Sequence, residues 1–115
     1  MASAAFWQRG ESLDYKNTGS TTIEANTIVA YGSRIGVIGC EIAPGEVGSL
    51  HVTGVFKRPK TGTSAIAAGA DVYWDGDGIT EADNDGEGTP TYYPVAGFVA
   101  SAAAAGDTTV AVKIG

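Results

Sequence analysis

Apolar and polar residues alternate most clearly between Gly45 and Asp75. From Leu50 to Lys57, Leu50, Val52, Gly54 and Phe56 fall on one side, and His51, Thr53, Val55 and Lys57 fall on the other. Strand side chains alternate with period two, so this run predicts a strand with one apolar face. Ala70, Val72 and Trp74 alternate with Asp71, Tyr73 and Asp75 in the same way and predict a second half-buried strand. The loop Arg58-Pro59-Lys60-Thr61-Gly62-Thr63-Ser64 joins the two runs.

Further strands are readable on both sides. Leu13 and Tyr15 alternate with Asp14 and Lys16, which predicts a short edge strand closed by a turn at Asn17-Thr18-Gly19-Ser20. Thr27–Tyr31 and Arg34–Ile38 are rich in β-branched and aromatic residues and flank Gly32-Ser33, a hairpin signal. Thr91–Ala100 reads as a strand with Pro94 at an edge or bulge. Ala100–Ala105 is too short to stand as more than one helical turn. In the last run Thr108, Val110, Val112 and Ile114 face one way, and Thr109, Ala111 and Lys113 the other.

Four stretches share one design: Ile23-Glu24-Ala25-Asn26, Ile42-Ala43-Pro44-Gly45, Ile66-Ala67-Ala68-Gly69 and Ala103-Ala104-Ala105-Gly106. Each ends in Gly or Asn, which tolerate positive φ, and each precedes a strand. Their irregular spacing argues against a solenoid and for similar corners in one closed β structure. The expected fold is all-β: a compact antiparallel β-barrel or β-sandwich of about seven or eight short strands with Gly-rich turns and a long acidic loop over residues 75–90. The expected organisation is an N-terminal arm, residues 1–12, and a single β domain, residues 13–115.

Composition narrows the function. Seventeen glycines and only seven Lys plus Arg suit a loop-rich β protein. A net charge of −6 argues against direct nucleic-acid binding, which rests on clustered cations that release counterions. The one basic cluster, Lys57, Arg58 and Lys60, reads as a solvated hairpin end. The single cysteine, Cys40, lies among apolar neighbours and is expected to be a small buried hydrophobe. The start, MASAAFWQRGE, lacks a basic region followed by an apolar core, and no run approaches the roughly twenty apolar residues of a membrane helix, so no membrane partner is expected. Phe6-Trp7 either tucks into the domain or docks on a partner.

The segments APGEVGSL (43–50), GVFKRPK (54–60) and AGADVYWD (68–75) resemble a family of small tailed-phage head proteins. Its members are often catalogued as uncharacterised or as "predicted RecA/RadA-family recombinases", and some are capsid decoration, or cement, proteins. The resemblance runs from the Ala-Ser-Ala-Ala-Phe opening to the final Asp-Thr-Thr-Val-Ala-Val-Lys-Ile strand. It implies a structural virion protein, a homotrimer on the capsid exterior that clamps major capsid protein subunits and stabilises the expanded shell. Synthesis would be in the host bacterial cytoplasm. Phe6 and Trp7 are then the first candidates to bury area against the capsid, and Arg9, Lys57, Arg58 and Lys60 those to meet an acidic rim.

Reactive chemistry is poorly represented. Recombinase chemistry needs G-x-x-x-x-G-K-[ST] opening a helix, and no glycine here precedes Lys and then Ser or Thr. His51 is the only histidine, reads as an exposed strand residue, and has no nucleophile placed beside it by the sequence. Asp71 and Asp75 point the same way but lead into a flexible loop, a poor setting for paired catalytic carboxylates. In the loop DGDGITEADNDGEGT, a calcium frame from Asp83 reaches Asp85, Glu87 and Gly88 but ends on Pro94, and a frame from Asp75 puts Thr80 where glycine is needed. No enzyme activity, cofactor or metal is expected. Two other readings remain: a head-fibre or carbohydrate-binding module with Trp74, Tyr92 and Tyr93 as an aromatic platform, and a phage accessory protein outside the virion.

Overall fold

The computed structural model describes residues 3–6, 8–62 and 64–115. They hold nine strands and no helix: β1 (Ser12–Lys16), β2 (Ile28–Tyr31), β3 (Arg34–Ile38), β4 (Val47–His51), β5 (Gly54–Pro59), β6 (Asp71–Trp74), β7 (Ile79–Thr80), β8 (Val95–Ser101) and β9 (Thr109–Ile114). The sheet path runs β1-β4-β3-β8-β6-β7, with β2 on β3, β9 on β8 and β5 on β9. The fold is all-β, as expected. The sheet does not close into a barrel, however, and is mixed, because β3 meets β8 in parallel at Arg34↔Val95.

Several predicted elements formed as read. β1 lies at the end of the sheet path and β6 covers the run 71–74; β2 and β3 pair from Ile28↔Val37 to Tyr31↔Arg34 across Gly32-Ser33, and β9 buries Val110, Val112 and Ile114 on one face. The run Leu50–Lys57 did not form one strand. The chain leaves the strand at Val52-Thr53 and enters the next at Gly54, whose φ is 127°, so Leu50 belongs to β4 and Phe56 to β5. Arg58 and Pro59 stay in β5, and β5 pairs along its length with β9 rather than with β6. Pro59 is tolerated because β5 is an edge strand, where a missing N–H costs no ladder bond. The basic cluster is therefore not a hairpin end.

All four expected corners are present. Each is a β-turn that begins one residue into its stretch, at Glu24, Ala43, Ala67 and Ala104, and its third residue has positive φ: Asn26 at 70°, Gly45 at 82°, Gly69 at 85° and Gly106 at 89°. The fourth residue's N–H donates to the first carbonyl, as in Glu46 to Ala43 at 3.0 Å and Ala70 to Ala67 at 3.2 Å. Their irregular spacing has a specific origin. The corners pair as Ile23↔Ile42 and Ile66↔Ala103, and the chain is two halves of one design. Thr18-Gly19, Ile23, Ala25 and Val29 recur at one constant spacing as Thr61-Gly62, Ile66, Ala68 and Val72. Gly36, Ala43 and Gly45 recur at a second, longer spacing as Gly97, Ala104 and Gly106.

Hydrogen bonds match in step. Asn26 N–H donates to Ile38 O and Gly69 N–H to Val99 O, both at 2.7 Å. Ile38 N–H donates to Thr27 O at 2.9 Å and Val99 N–H to Ala70 O at 3.0 Å. Strand pairing matches too: β1–β4 with β5–β9, β2–β3 with β6–β8, and β3–β4 with β8–β9. The spacing changes where the first half turns through Gly32-Ser33 and the second runs from Asp75 to Pro94. The acidic loop is an insertion in the second half.

Gly36 and Gly97 are counterparts with one task. A Cβ on Gly36 would stand 2.6 Å from Leu50 Cγ, and one on Gly97 would overlap the Lys113 carbonyl. Only glycine lets the neighbouring strand come this close.

The halves fill differently. Ile38, Ile42 and Leu50 form a small core with Tyr15, Ile23, Val29 and Val52. The larger core joins Ile66, Val72, Ile79, Val99, Val110, Val112 and Ile114 to Ile35 and Val37. Strand β3 serves both, Ile35 and Val37 entering the larger core and Ile38 the smaller, which explains why Ile35–Ile38 are all buried. The two buried polar side chains, Asn17 and Lys60, are counterparts, each just past the first strand of its half. Asn17 Nδ2 donates to Thr21 O at 2.8 Å and Ile42 O at 3.0 Å, while its Oδ1 accepts from Gly19 N–H at 3.0 Å. Lys60 Nζ makes a single 3.4 Å contact to Ala104 O.

Replacing Asn17 by Ala leaves the buried Ile42 carbonyl without its side-chain donor and the Gly19 N–H without its acceptor. Asn17→Ala is expected to cost about 2–3 kcal/mol. Lys60→Met, which keeps the apolar stem, should cost less than about 1 kcal/mol. Urea unfolding of both variants checks the ordering, and equal losses would refute this account of the corner.

Candidate capsid-facing surface

The sequence-selected residues are dispersed. Phe6 lies before β1, outside any strand, with 85 % of its surface exposed. Trp7 lies outside the described residues. Arg9 is exposed and pairs with Glu11 at 3.4 Å, an arrangement that adds little stability in water. Lys57 is exposed on the outer side of β5, whereas Arg58 faces inward opposite Val110 and its Nε is buried without a partner. Lys60 is buried in its corner. The three residues of the basic cluster thus share no surface, because period two sends Lys57 and Arg58 to opposite faces.

A row that the pattern did not reveal crosses the outer face of three strands. Lys113 of β9 lies directly opposite Phe98 of β8 on one side and Val55 of β5 on the other. Phe98 is 46 % and Val55 58 % exposed. Lys57 lies on the same face opposite Ala111, and Lys113 Nζ is held by Thr53 Oγ1 and Ile114 O, both at 2.9 Å. Residues directly opposite on neighbouring strands share a face, so this is an apolar surface carrying two lysines, with the exposed Asp71 of β6 opposite Phe98 at its other end. The sequence placed Val55 on a polar face, and only the pairing of β5 with β9 and β8 shows what stands beside it.

A second apolar feature is a cleft of about 200 Å³ at the junction of the halves, lined by Leu13, Tyr31, Arg34, Ile35, Val52 and Val95 among others. Tyr31 and Val95 are exposed at its rim.

Other expectations resolve differently. Cys40 is exposed, not buried: β3 ends at Ile38, and the next core residue is Ile42. His51 is half-buried, its Nδ1 2.9 Å from Ser12 Oγ and its ring tilted against Phe56 at 6.1 Å. Trp74 packs on the larger core, Tyr93 is half-buried and Tyr92 is 68 % exposed, so the three do not make one exposed platform.

The acidic insertion is ordered by its own carboxylates and amides. Asp75 Oδ1 accepts from the N–H groups of Asp77 and Gly78 at 2.8 Å each, and Oδ2 from the Thr61 hydroxyl at 2.6 Å. Asn84 and Asp85 cap their own turns in the same way. Inside the insertion, β7 pairs with β6 and buries Ile79 completely. Among the described residues, no three His, Cys, Asp or Glu side chains gather where they could hold a metal ion. No helix there is long and apolar enough to cross a membrane.

These features define a class: an all-β protein whose distinctive chemistry is exposed apolar surface rather than a clustered reactive site. The chain belongs to the phage cement protein family, whose model matches residues 7–114. It is a structural, capsid-associated phage protein of the virion. No curated protein and no solved structure matches it.

Burial raises the pKa of Asp75, but the bonds from Thr61, Gly78 and Asp77 outweigh that and hold it below the ordinary carboxylate value. A group whose folded pKa is depressed contributes stability fully above its unfolded pKa and loses it as the pH falls through the folded value. Asp75→Asn should therefore lower stability near neutrality, and the gap from the parent should close below about pH 4. Denaturant unfolding across this range tests it; a constant gap would remove the charge from the explanation.

Proposed function

We propose that this protein decorates the outer surface of the phage capsid and stabilises the expanded shell, acting as a homotrimer against the major capsid protein. Membership of the cement protein family across nearly the whole chain carries the reading. In the proposed arrangement, residues 1–12 form an arm ahead of a single β domain, residues 13–115. Phe6 and Trp7 bury area across subunit junctions, and Arg9 and Lys57 meet acidic groups at the rim. The inward side chain of Arg58 and the buried Lys60 make these two the weakest of the sequence-selected contacts. Synthesis in the host cytoplasm fits an exposed free thiol at Cys40.

Binding to the expanded form alone would stabilise it by mass action. Each contact need not be strong, because many identical contacts on a symmetric shell act together. A protein with this role has no need of catalytic groups.

Quantitative mass spectrometry of purified virions tests the role. A ratio near one copy per capsid subunit is expected; a handful of copies would favour a fibre or vertex protein, and absence would exclude a virion role. For the arm, a Phe6→Ala, Trp7→Ala double variant should lose shell binding by about tenfold or more while unfolding as the parent does. Unchanged binding would remove the arm from the interface.

A further inference from the structure

The two halves differ at one place in a way that leaves a vacancy. In the second half, β7 lies antiparallel on the outer edge of β6, Trp74 opposite Ile79 and Tyr73 opposite Thr80. It then bridges in parallel to Lys60, and the Thr61 N–H donates to Ile79 O at 2.9 Å. A short extended segment thus fills the gap between β6 and the end of β5, with Ile79 fully buried.

In the first half, β2 is the counterpart of β6, and Asn17-Thr18 is the counterpart of Lys60-Thr61. The two-residue Gly32-Ser33 turn supplies nothing like β7. Among the described residues, strand β2 pairs only with β3 and none accepts from the Thr18 N–H. Thr27 bonds inward to Ile38, so by antiparallel alternation Ile28 and Ala30 direct their N–H and C=O groups to the open edge. Tyr31, the counterpart of Trp74, is 46 % exposed and lines the apolar cleft of about 200 Å³.

We infer that the free edge of β2 is a docking site for a short extended segment of the capsid subunit, which occupies the place β7 occupies in the other half. The inference rests on the cement reading and names one contact within it. The built-in example, Gly78-Ile79-Thr80, specifies the occupant: a small residue, an aliphatic residue opposite Tyr31, then a β-branched polar one. Residues opposite one another share a face, so the aliphatic side chain lies beside Tyr31 on the side of the cleft. Added strands gain affinity from main-chain bonds and specificity from alternate side chains.

A second copy of this chain is a weaker occupant on physical grounds. A ladder as short as β7 buries far less than the roughly 1,200–2,000 Å² of a stable pair. On a shell the same short ladder is one of many simultaneous contacts.

The test compares full-length wild type with Ala30→Pro for binding to expanded capsids stripped of this protein. Proline at position 30 removes only an outward N–H, which an edge strand tolerates. The variant should unfold like the parent and bind about tenfold or more weakly. Hydrogen exchange of wild type, which needs no variant, should show the Ile28 and Ala30 amides newly protected on the shell. Wild type that binds without protecting β2, together with undiminished binding by a folded Ala30→Pro, overturns the docking site and leaves the cement reading standing. Wild type that fails to bind overturns both. Protection of β2 in free protein that grows with concentration assigns the edge to a second copy instead.

Discussion

The fold depends on a corner made four times. A residue with positive φ turns the chain within one β-turn, and in three of the four cases its own N–H reaches a carbonyl of a neighbouring segment: Asn26 to Ile38, Gly45 to Asn17 and Gly69 to Val99. One residue thus ends one strand, starts the next and ties both to a third. Because the corners also bridge in pairs, at Ile23↔Ile42 and Ile66↔Ala103, each half is laced at its end by backbone bonds before any side chain packs. This explains how a chain with seventeen glycines holds a defined shape. The glycines concentrate where backbone must reverse or approach closely, and the lost side-chain burial is replaced by satisfied peptide groups.

From one design the halves diverge through what plugs the corner and what covers the edge. Asn17 seals the first half with three short bonds, while Lys60 occupies the same place with one long contact. The second half compensates with Ile79 and Trp74, carried on or beside the insertion, and has the larger core. The first half is sealed from within by a polar side chain and left open at β2. One sheet thus has a finished edge in its second half and an unfinished one in its first.

Much of this was legible in the sequence, and the failures have specific causes. The β2–β3 hairpin and β9 were readable because their alternation is uninterrupted and their turn chemistry local. The run through Gly54 misled because period two carries on across Val52-Thr53, where one strand ends and the next begins at a glycine of positive φ. Cys40 misled because apolar neighbours were counted after β3 had already ended. The row of Val55 and Phe98 was hidden for a different reason: it exists only through non-local pairing, and in β8 the register shifts between Val99 and Ser101 against β9. The corners were found, but their kinship in pairs was not, since one loop of very different length separates otherwise constant spacings. Lys60 looked like surface because lysine usually is; its burial follows from a place in the fold that asparagine fills in the other half.

The charge pattern bears on how such a surface avoids sticking to itself. A net charge of −6 on a chain this small disfavours close approach of free copies, and much of it is gathered in the insertion at one end of β6. The Val55–Phe98 face carries Lys57 and Lys113, with the exposed carboxylate of Asp71 opposite Phe98 at its β6 end. Apolar surface there is thus bordered by charges of both signs, which fix the orientation of a contact more than its strength. Screening over about 8–10 Å at physiological salt confines each effect to its own region. An exposed apolar face and a strongly acidic insertion therefore coexist on one small sheet.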